Sequence, residues 1–222
     1  MINELPVLPI LLFSAIVHEI AHGWVALRLG DPTARDLGRL TLNPIPHIDP
    51  VGSVLVPLVS LVAAGHVFIA WAKPVPVNPG NFLNPRRDNV LVSAAGPASN
   101  LVLALVCSVA VILFAALTRA AGGGGPEMVN DLLHFMVTMF YGGVYMNVVL
   151  AVFNTLPIPP LDGSHLLAAA LPADAAQQYM RIGFLGVILF LFLLRVPAVA
   201  QTFMALIGAV FSPFRALVEF FV

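Results

Sequence analysis

The chain is short of charge. Of its 222 residues only 9% are Asp, Glu, Lys or Arg, while 59% are hydrophobic, and the mean hydropathy is +0.96. Soluble globular domains carry about 25% charged residues, so the composition excludes a soluble enzyme and predicts a polytopic membrane protein. The net charge is −1, with 10 cations against 11 anions, which leaves no basic footprint for nucleic acid. Cysteine is nearly absent. The single Cys107 lies in an apolar run and excludes both a disulfide framework and a Cys-x-x-Cys motif; it reads as a small packing residue. Six histidines are too few for the clustered boxes of a diiron enzyme. The N-terminus lacks a positive n-region, carries Glu4 and has too long an apolar stretch, so no cleaved leader is expected. With most residues in spans, no room is expected for an extra soluble domain. No internal repeat is visible, and Gly122–Gly125 with Pro126 reads as a short loop.

What is abundant is apolar sequence in long runs. About 20 such residues cross a bilayer as a helix. Spans are predicted at Leu8–Leu29, Val90–Leu117, Leu132–Phe153, Ile182–Leu194 and Val199–Phe214, the fourth being short and able to start near Gln177. Val51–Trp71 is interrupted by Gly52, Pro57, Gly65 and His66, and reads as a span or a re-entrant hairpin. Two Pro-rich stretches, "GRLTLNPIPHIDP" and "WAKPVPVNPGNF", contain candidate edge strands at Arg39–Leu42 and Pro74–Val77. The expected fold is all-α and polytopic, with about five to six transmembrane helices and short edge strands or a re-entrant segment near the site. Six of the ten cations (Arg28, Arg35, Arg39, Lys73, Arg86 and Arg87) fall between residues 28 and 88. The positive-inside rule puts that region in the cytoplasm, provided Val51–Trp71 returns to the side it left.

Within the first span lies "SAIVHEIAHGWVAL". In lipid each backbone amide needs an internal partner, so this segment must be helical. His18 and His22 are then about one turn apart and project from one face, where two imidazoles can grip one metal ion. Glu19 is placed to take a proton from a bound water, as in the H-E-x-x-H arrangement of zinc peptidases. The bland alternative is two interior histidines with an ion pair. It fits poorly, because a buried acid near the bilayer centre costs roughly 2.5–3.5 kcal/mol and no cation precedes Arg28 in this span.

Catalytic zinc takes three protein ligands and keeps an open position. Glu127, Asp131 and His134 lie at a span's loop end, Glu219 near the C-terminus, His66 in the ambiguous segment, and His47 and Asp49 in a Pro-rich loop. Asp162 remains, in "NTLPIPPLDGSHLLAAAL". Prolines 157, 159 and 160 break the helix there, and broken backbone at membrane depth is tolerated where it lines a cavity. Asp162 alone reads equally well as an N-cap for the Leu166–Leu171 helix.

Together "HEIAH" at 18–22, "GPASN" at 96–100 and "NTLPIPPLDG" at 154–163 make the chain similar to the site-2 protease family of intramembrane zinc metalloproteases. "NPIPHIDPVGS" resembles the compact branch without PDZ or CBS domains. The resemblance covers most of the chain. It implies that residues 1–222 form a single integral-membrane metalloprotease domain, with core spans 8–29, 90–117 and 132–153 and peripheral helices beyond 177. It implies one zinc ion held by His18, His22 and Asp162, with Glu19 as general base. Asn154 matches the family asparagine that positions substrate or stabilises an oxyanion. Asn100 reads as a substrate-positioning residue or as an interhelical hydrogen bond, and Gly96, Ala98 and Ser99 allow close helix packing. His47 and Asp49 are expected to shape the mouth of the site, with a hydrogen bond from one to the other. His165, where related sequences often carry Arg or another residue, reads as a group behind the ligands, a loop histidine or an alternative ligand, the first two being favoured. His66 and His134 are not expected to be ligands.

The implied function is endopeptidase cleavage of transmembrane segments by metal-activated water. The expected partners are a membrane-protein or peptide substrate and the lipid bilayer, and the expected location is the cell membrane with the site toward the cytoplasm. The rivals are a catalytically inactive member acting as a scaffold, a metal transporter, and a zinc peptidase with a downstream Glu ligand. A transporter needs paired polar residues along several spans, and the other spans are nearly bare.

Overall fold

The computed structural model describes residues 8–55, 58–59, 72–121 and 126–222. Its helices are α1 (Leu8–Arg28), α2 (Thr33–Asp36), α3 (Pro85–Ala121), α4 (Glu127–Thr155), α5 (Gly163–Ala170), α6 (Ala173–Met180), α7 (Phe184–Leu193) and α8 (Pro197–Phe221). Among the described residues α1, α3, α4 and α8 are each long and apolar enough to cross a membrane. The expected span at Ile182–Leu194 is instead a pair, α6 and α7, bent by 69° at Gly183, so the count is four or, with the pair as one span, five. Most of the ambiguous segment 51–71, including His66, lies outside the described residues, as does the 122–125 loop.

Helix α3 is 37 residues long, about 55 Å at 1.5 Å per residue, and it starts five residues before the apolar run at Val90. Pro85 suits a first helical position, and the Asn84 N–H donates to the Asp88 carboxylate at 3.0 Å, which closes the first turn. One face of α3 is exposed and apolar: Val102, Leu105, Val106, Val109 and Leu113, the spacing of a lipid-facing stripe. The opposite face buries Asn100, Ala104, Cys107, Ser108 and Val111. Small residues there let helix backbones approach closely, which is how helices associate where lipid is as apolar as Leu. The main core joins Ile10, Ala104, Cys107, Val144, Val148 and Ile207 from α1, α3, α4 and α8. Inward hydroxyls are satisfied by their own helix, as in Ser14 to the Ile10 carbonyl and Ser108 to the Ala104 carbonyl.

A second, smaller core (Ala26, Phe82 and Val92) sits where the end of α1 meets the start of α3. Arg86 crosses from α3 to the Ala169 and Leu171 carbonyls at 2.6 and 2.7 Å, capping the C-terminal end of α5. These ties close the end of the bundle that carries the polar motifs. Neither edge-strand expectation is met: residues 39–42 and 74–77 are irregular. Pro74 and Pro76 carry no N–H and cannot donate to a ladder.

Candidate metal centre

Helix α1 presents His18 and His22 on one face, and α5 starts at Gly163 directly after Asp162. The His18 and His22 Nε2 atoms are 3.1 Å apart. His18 Nε2 lies 3.1 Å from Asp162 Oδ2, and His22 Nε2 lies 3.3 Å from Asp162 Oδ1. One ligand atom from each of the three residues falls within 4.8 Å of the others, the one such cluster among the described residues. Asp162 occupies the N-cap position of α5, yet its side chain makes no capping bond. It turns to the imidazoles instead, so the N-cap reading of this residue does not hold.

The protons of this cluster are used elsewhere. His18 Nδ1 is 2.9 Å from Asn100 Oδ1, and His22 Nδ1 is 2.7 Å from the Val92 carbonyl oxygen. Both oxygens can only accept, so each Nδ1 is the N–H and each Nε2 presents a lone pair. Two lone pairs and a carboxylate then converge with no hydrogen between them, and the buried Asp162 Oδ2 has no hydrogen-bond partner among the described residues. Such a set repels itself unless a cation sits among the atoms. His2Asp is a fitting donor set for zinc, and imidazoles oriented through their second nitrogen are the usual support for it.

Two close approaches explain the motif glycines. A Cβ on Gly96 would lie 2.5 Å from His18 Cε1 and 2.5 Å from His22 Nε2, so α3 lies directly against both rings. A Cβ on Gly163 would meet the Thr155 carbonyl and lie 2.5 Å from the Leu156 carbonyl oxygen. Only glycine lets the end of α4 pass the start of α5 and so bring Asp162 inward.

Glu19 is half-buried beside the cluster. Its Oε2 accepts a hydrogen bond of 2.7 Å from the Val75 amide. Asn100 is fully buried against His18, and its own Nδ2 has no partner among the described residues. Asn154 Nδ2 donates to the Leu150 carbonyl at 3.0 Å, in the last turn of α4, and makes no hydrogen bond to the cluster. His165 donates its backbone N–H to the Asp162 carbonyl at 3.0 Å, and its ring lies outside the ligand set. His47 is buried and holds the loop: Nε2 contacts the Thr41 carbonyl at 2.9 Å and its own carbonyl accepts from the Lys73 amide at 2.8 Å. The expected His47–Asp49 bond is absent: His47 Nε2 is taken by Thr41, and Nδ1 has no hydrogen-bond partner among the described residues. Asp49 accepts from the Val51 and Gly52 amides instead. The other acidic candidates are elsewhere; Glu219, for example, pairs with Arg215 at 2.7 Å.

Sequence reading missed the Val92 carbonyl, the Val75 amide and Asp31. The first two are backbone groups and leave no sequence signal. Asp31 had one, in "GDP" after the span. It is wholly buried and accepts from the Asn78 amide and the Asn81 side chain, both at 2.7 Å, and from Thr33.

The sequence profile described as "Peptidase family M50" matches residues 78–194. A protein of Bacillus subtilis named "Putative zinc metalloprotease YwhC" is 40% identical over 187 residues, covering 84% of this chain and 78% of its own. A protein of Mycolicibacterium smegmatis named "Putative zinc metalloprotease Rip2" is 30% identical over 200 residues, covering 88% of this chain and 69% of its own. A Mycobacterium tuberculosis protein of the same name is 33% identical over 156 residues, covering 68% and 52%. No solved structure matches.

Proposed function

The chain belongs to peptidase family M50, the site-2 proteases, and is a zinc metalloprotease of the membrane; from that premise we propose that it hydrolyses peptide bonds within transmembrane segments, with His18, His22 and Asp162 as the zinc ligands and Glu19 as the general base. The observation that carries the reading is the set of three lone-pair donors converging without a proton between them, with a carboxylate next in sequence. Zinc bound there supplies Lewis acidity, making water acidic near neutral pH and polarising a carbonyl.

The protein supplies the rest. Asn100 and the Val92 carbonyl hold both rings in the tautomer that aims Nε2 at the site. The Glu19 carboxylate takes the proton of the attacking water and later delivers it to the leaving amine. Asn154 turns its amide from the Leu150 carbonyl to the substrate carbonyl and stabilises the charge that develops there. A substrate helix must unwind first, because a helical carbonyl is already bonded. Residues 73–78 form the wall that receives it. Four of these residues have an amide N–H, and those of Lys73, Val75 and Asn78 are taken by the His47 carbonyl, Glu19 and Asp31. Only the Val77 amide is left to pair with an extended peptide. His47 shapes this wall, and His165 supports Asp162 from behind.

Residues 1–222 act as one membrane-embedded unit in the cell membrane, with the site toward the cytoplasm. Arg28 at the end of α1 and Arg86 and Arg87 at the start of α3 support that orientation.

The test is zinc content and cleavage of a transmembrane peptide by the reconstituted protein. Glu19→Gln keeps about one zinc and loses turnover by about 10²–10⁴-fold, the range for a general base. Asp162→Ala loses both zinc and turnover. Zinc retained in Asp162→Ala moves the third ligand elsewhere, and wild-type turnover in Glu19→Gln removes the base.

A further inference from the structure

Arg39 is a buried guanidinium in an irregular loop, and among the described residues it forms no ion pair. Its Nε has no partner among the described residues. An unpaired buried cation is costly, so its contacts need a reason. There are two, both through Nη2: the Lys73 carbonyl at 2.8 Å and the Pro74 carbonyl at 3.3 Å. The second belongs to the same peptide unit as the Val75 amide, and that amide donates to Glu19. The order is therefore guanidinium, carbonyl, N–H, carboxylate, along one peptide group. A cation at the oxygen end polarises the peptide and strengthens the N–H as a donor.

Packing fixes the same peptide from the other side. Val75 is buried, and a Cβ on Gly23 would lie 2.8 Å from Val75 Cγ1, so residues 73–77 rest on α1 one residue beyond His22. Arg39 is itself anchored where α2 ends, its amide donating to the Ala34 carbonyl at 2.8 Å.

We propose that Arg39 is a positioning residue for Glu19: it holds and polarises the Pro74–Val75 peptide, whose N–H sets the direction of the Glu19 carboxylate. The proposal rests on Glu19 being the base. Arg39 touches neither substrate nor zinc. Because one nitrogen serves both carbonyls, a lysine ammonium can take its place, while a methionine of similar length cannot.

The experiment compares Arg39→Met and Arg39→Lys with wild type in lipid. It reads zinc per chain, kcat and KM on one transmembrane peptide, and amide exchange at Val75 and Val77 by NMR. The expected result for Arg39→Met is kcat lowered by about 100-fold, the scale of a small misplacement of a catalytic group, with KM and zinc unchanged. Arg39→Lys recovers most of the loss. Val75 exchanges slowly in wild type and Arg39→Lys but fast in Arg39→Met, while Val77, which has no bond to break, is fast throughout. A loss of zinc, or a rise in KM alongside the fall in kcat, in Arg39→Met marks a general structural role and overturns the proposal. So does failure of the lysine to rescue. If Arg39→Met does not fold, the wild-type protein still decides: Val75 exchanging as fast as Val77 removes the tie. Active Glu19→Gln sinks the base assignment instead, and leaves the Val75 exchange result standing.

Discussion

Glu19 stands between two walls built by different means. On one side are helices. His18 and His22 sit on α1, Gly96 of α3 lies against both rings, and Asp162 enters where α5 starts. Position there follows from helical period and close packing, and few adjustments are open to it. On the other side is the 73–78 segment, with no regular structure. It is held at single points: by Arg39 and the His47 carbonyl at one end, Glu19 in the middle and Asp31 at the other. In the proposed reading the first wall holds the zinc ligands. The second faces the base and, in the proposed reading, the substrate. Rigid ligands suit a metal whose geometry must not vary, whereas a segment tied by a few hydrogen bonds can open for a peptide and close again. Damage to the helical wall therefore removes metal, and damage to the tied wall leaves metal in place and changes turnover or stability.

Gly96→Ala makes the largest break in the helical wall. Its Cβ would fall 2.5 Å from both imidazoles, and a ring packed between helices cannot step aside. The expected outcome is zinc affinity lowered by more than about 100-fold, beyond the range for loss of an orienting partner, measured by competition with a chromogenic chelator. Tight zinc binding in this variant would mean that α3 does not lie against the rings. Asn100→Ala is a smaller break in the same wall. His18 keeps its place but loses the acceptor that fixes its tautomer, and zinc affinity falls by about 10- to 100-fold. Asn100→Asp restores an acceptor and recovers affinity if orientation is the role of this residue. If alanine binds zinc as the wild type does, Asn100 serves packing alone.

The helical wall was the more legible one in the sequence. The four-residue spacing of His18 and His22, the small residues at 96–99 and the prolines before Asp162 each carry a local physical meaning. Their assembly into one site was implied by the family resemblance, since Asp162 alone read equally well as an N-cap. The long spans were visible for the same reason, apart from the bend at Gly183, where a run long enough for half a span gave no sign of direction. The tied wall was poorly legible. Its bonds join residues 26 to 56 positions apart and use backbone groups that carry no mark in the sequence. Alternation at Arg39–Leu42 and Pro74–Val77 suggested strands, but Pro74 and Pro76 leave the second segment without the donors that a ladder with the first would need. The histidine and aspartate at 47 and 49 suggested a pair. Each is instead engaged by the loop backbone, a choice that depends on turn geometry and not on residue type.

Asp31 offers the mildest test of the tied wall. Its carboxylate joins the end of α1 to Asn78 and Asn81. Burial by itself pushes this carboxyl up, but hydrogen bonds from the Thr33 hydroxyl, the Asn78 amide, the Asn81 side chain and the Thr33 amide outweigh it and hold the group below the usual carboxylate range. A lowered native pKa means that the unfolded chain binds the proton first. The stability Asp31 contributes is therefore complete above its unfolded pKa, near about 4, and is lost as pH falls through the lower native value. Asp31→Asn keeps one acceptor but turns an N–H2 toward donors, and is expected to cost about 1–3 kcal/mol at neutral pH. The measurement is thermal unfolding of wild type and Asp31→Asn from pH 7 down to about pH 2. The two curves should run parallel down to about pH 4 and converge below it, while zinc per chain at pH 7 stays the same in both. Curves that stay parallel to the lowest pH would show that the charge on Asp31 does not hold the segment. Zinc lost at pH 7 would show that the two walls are not separable.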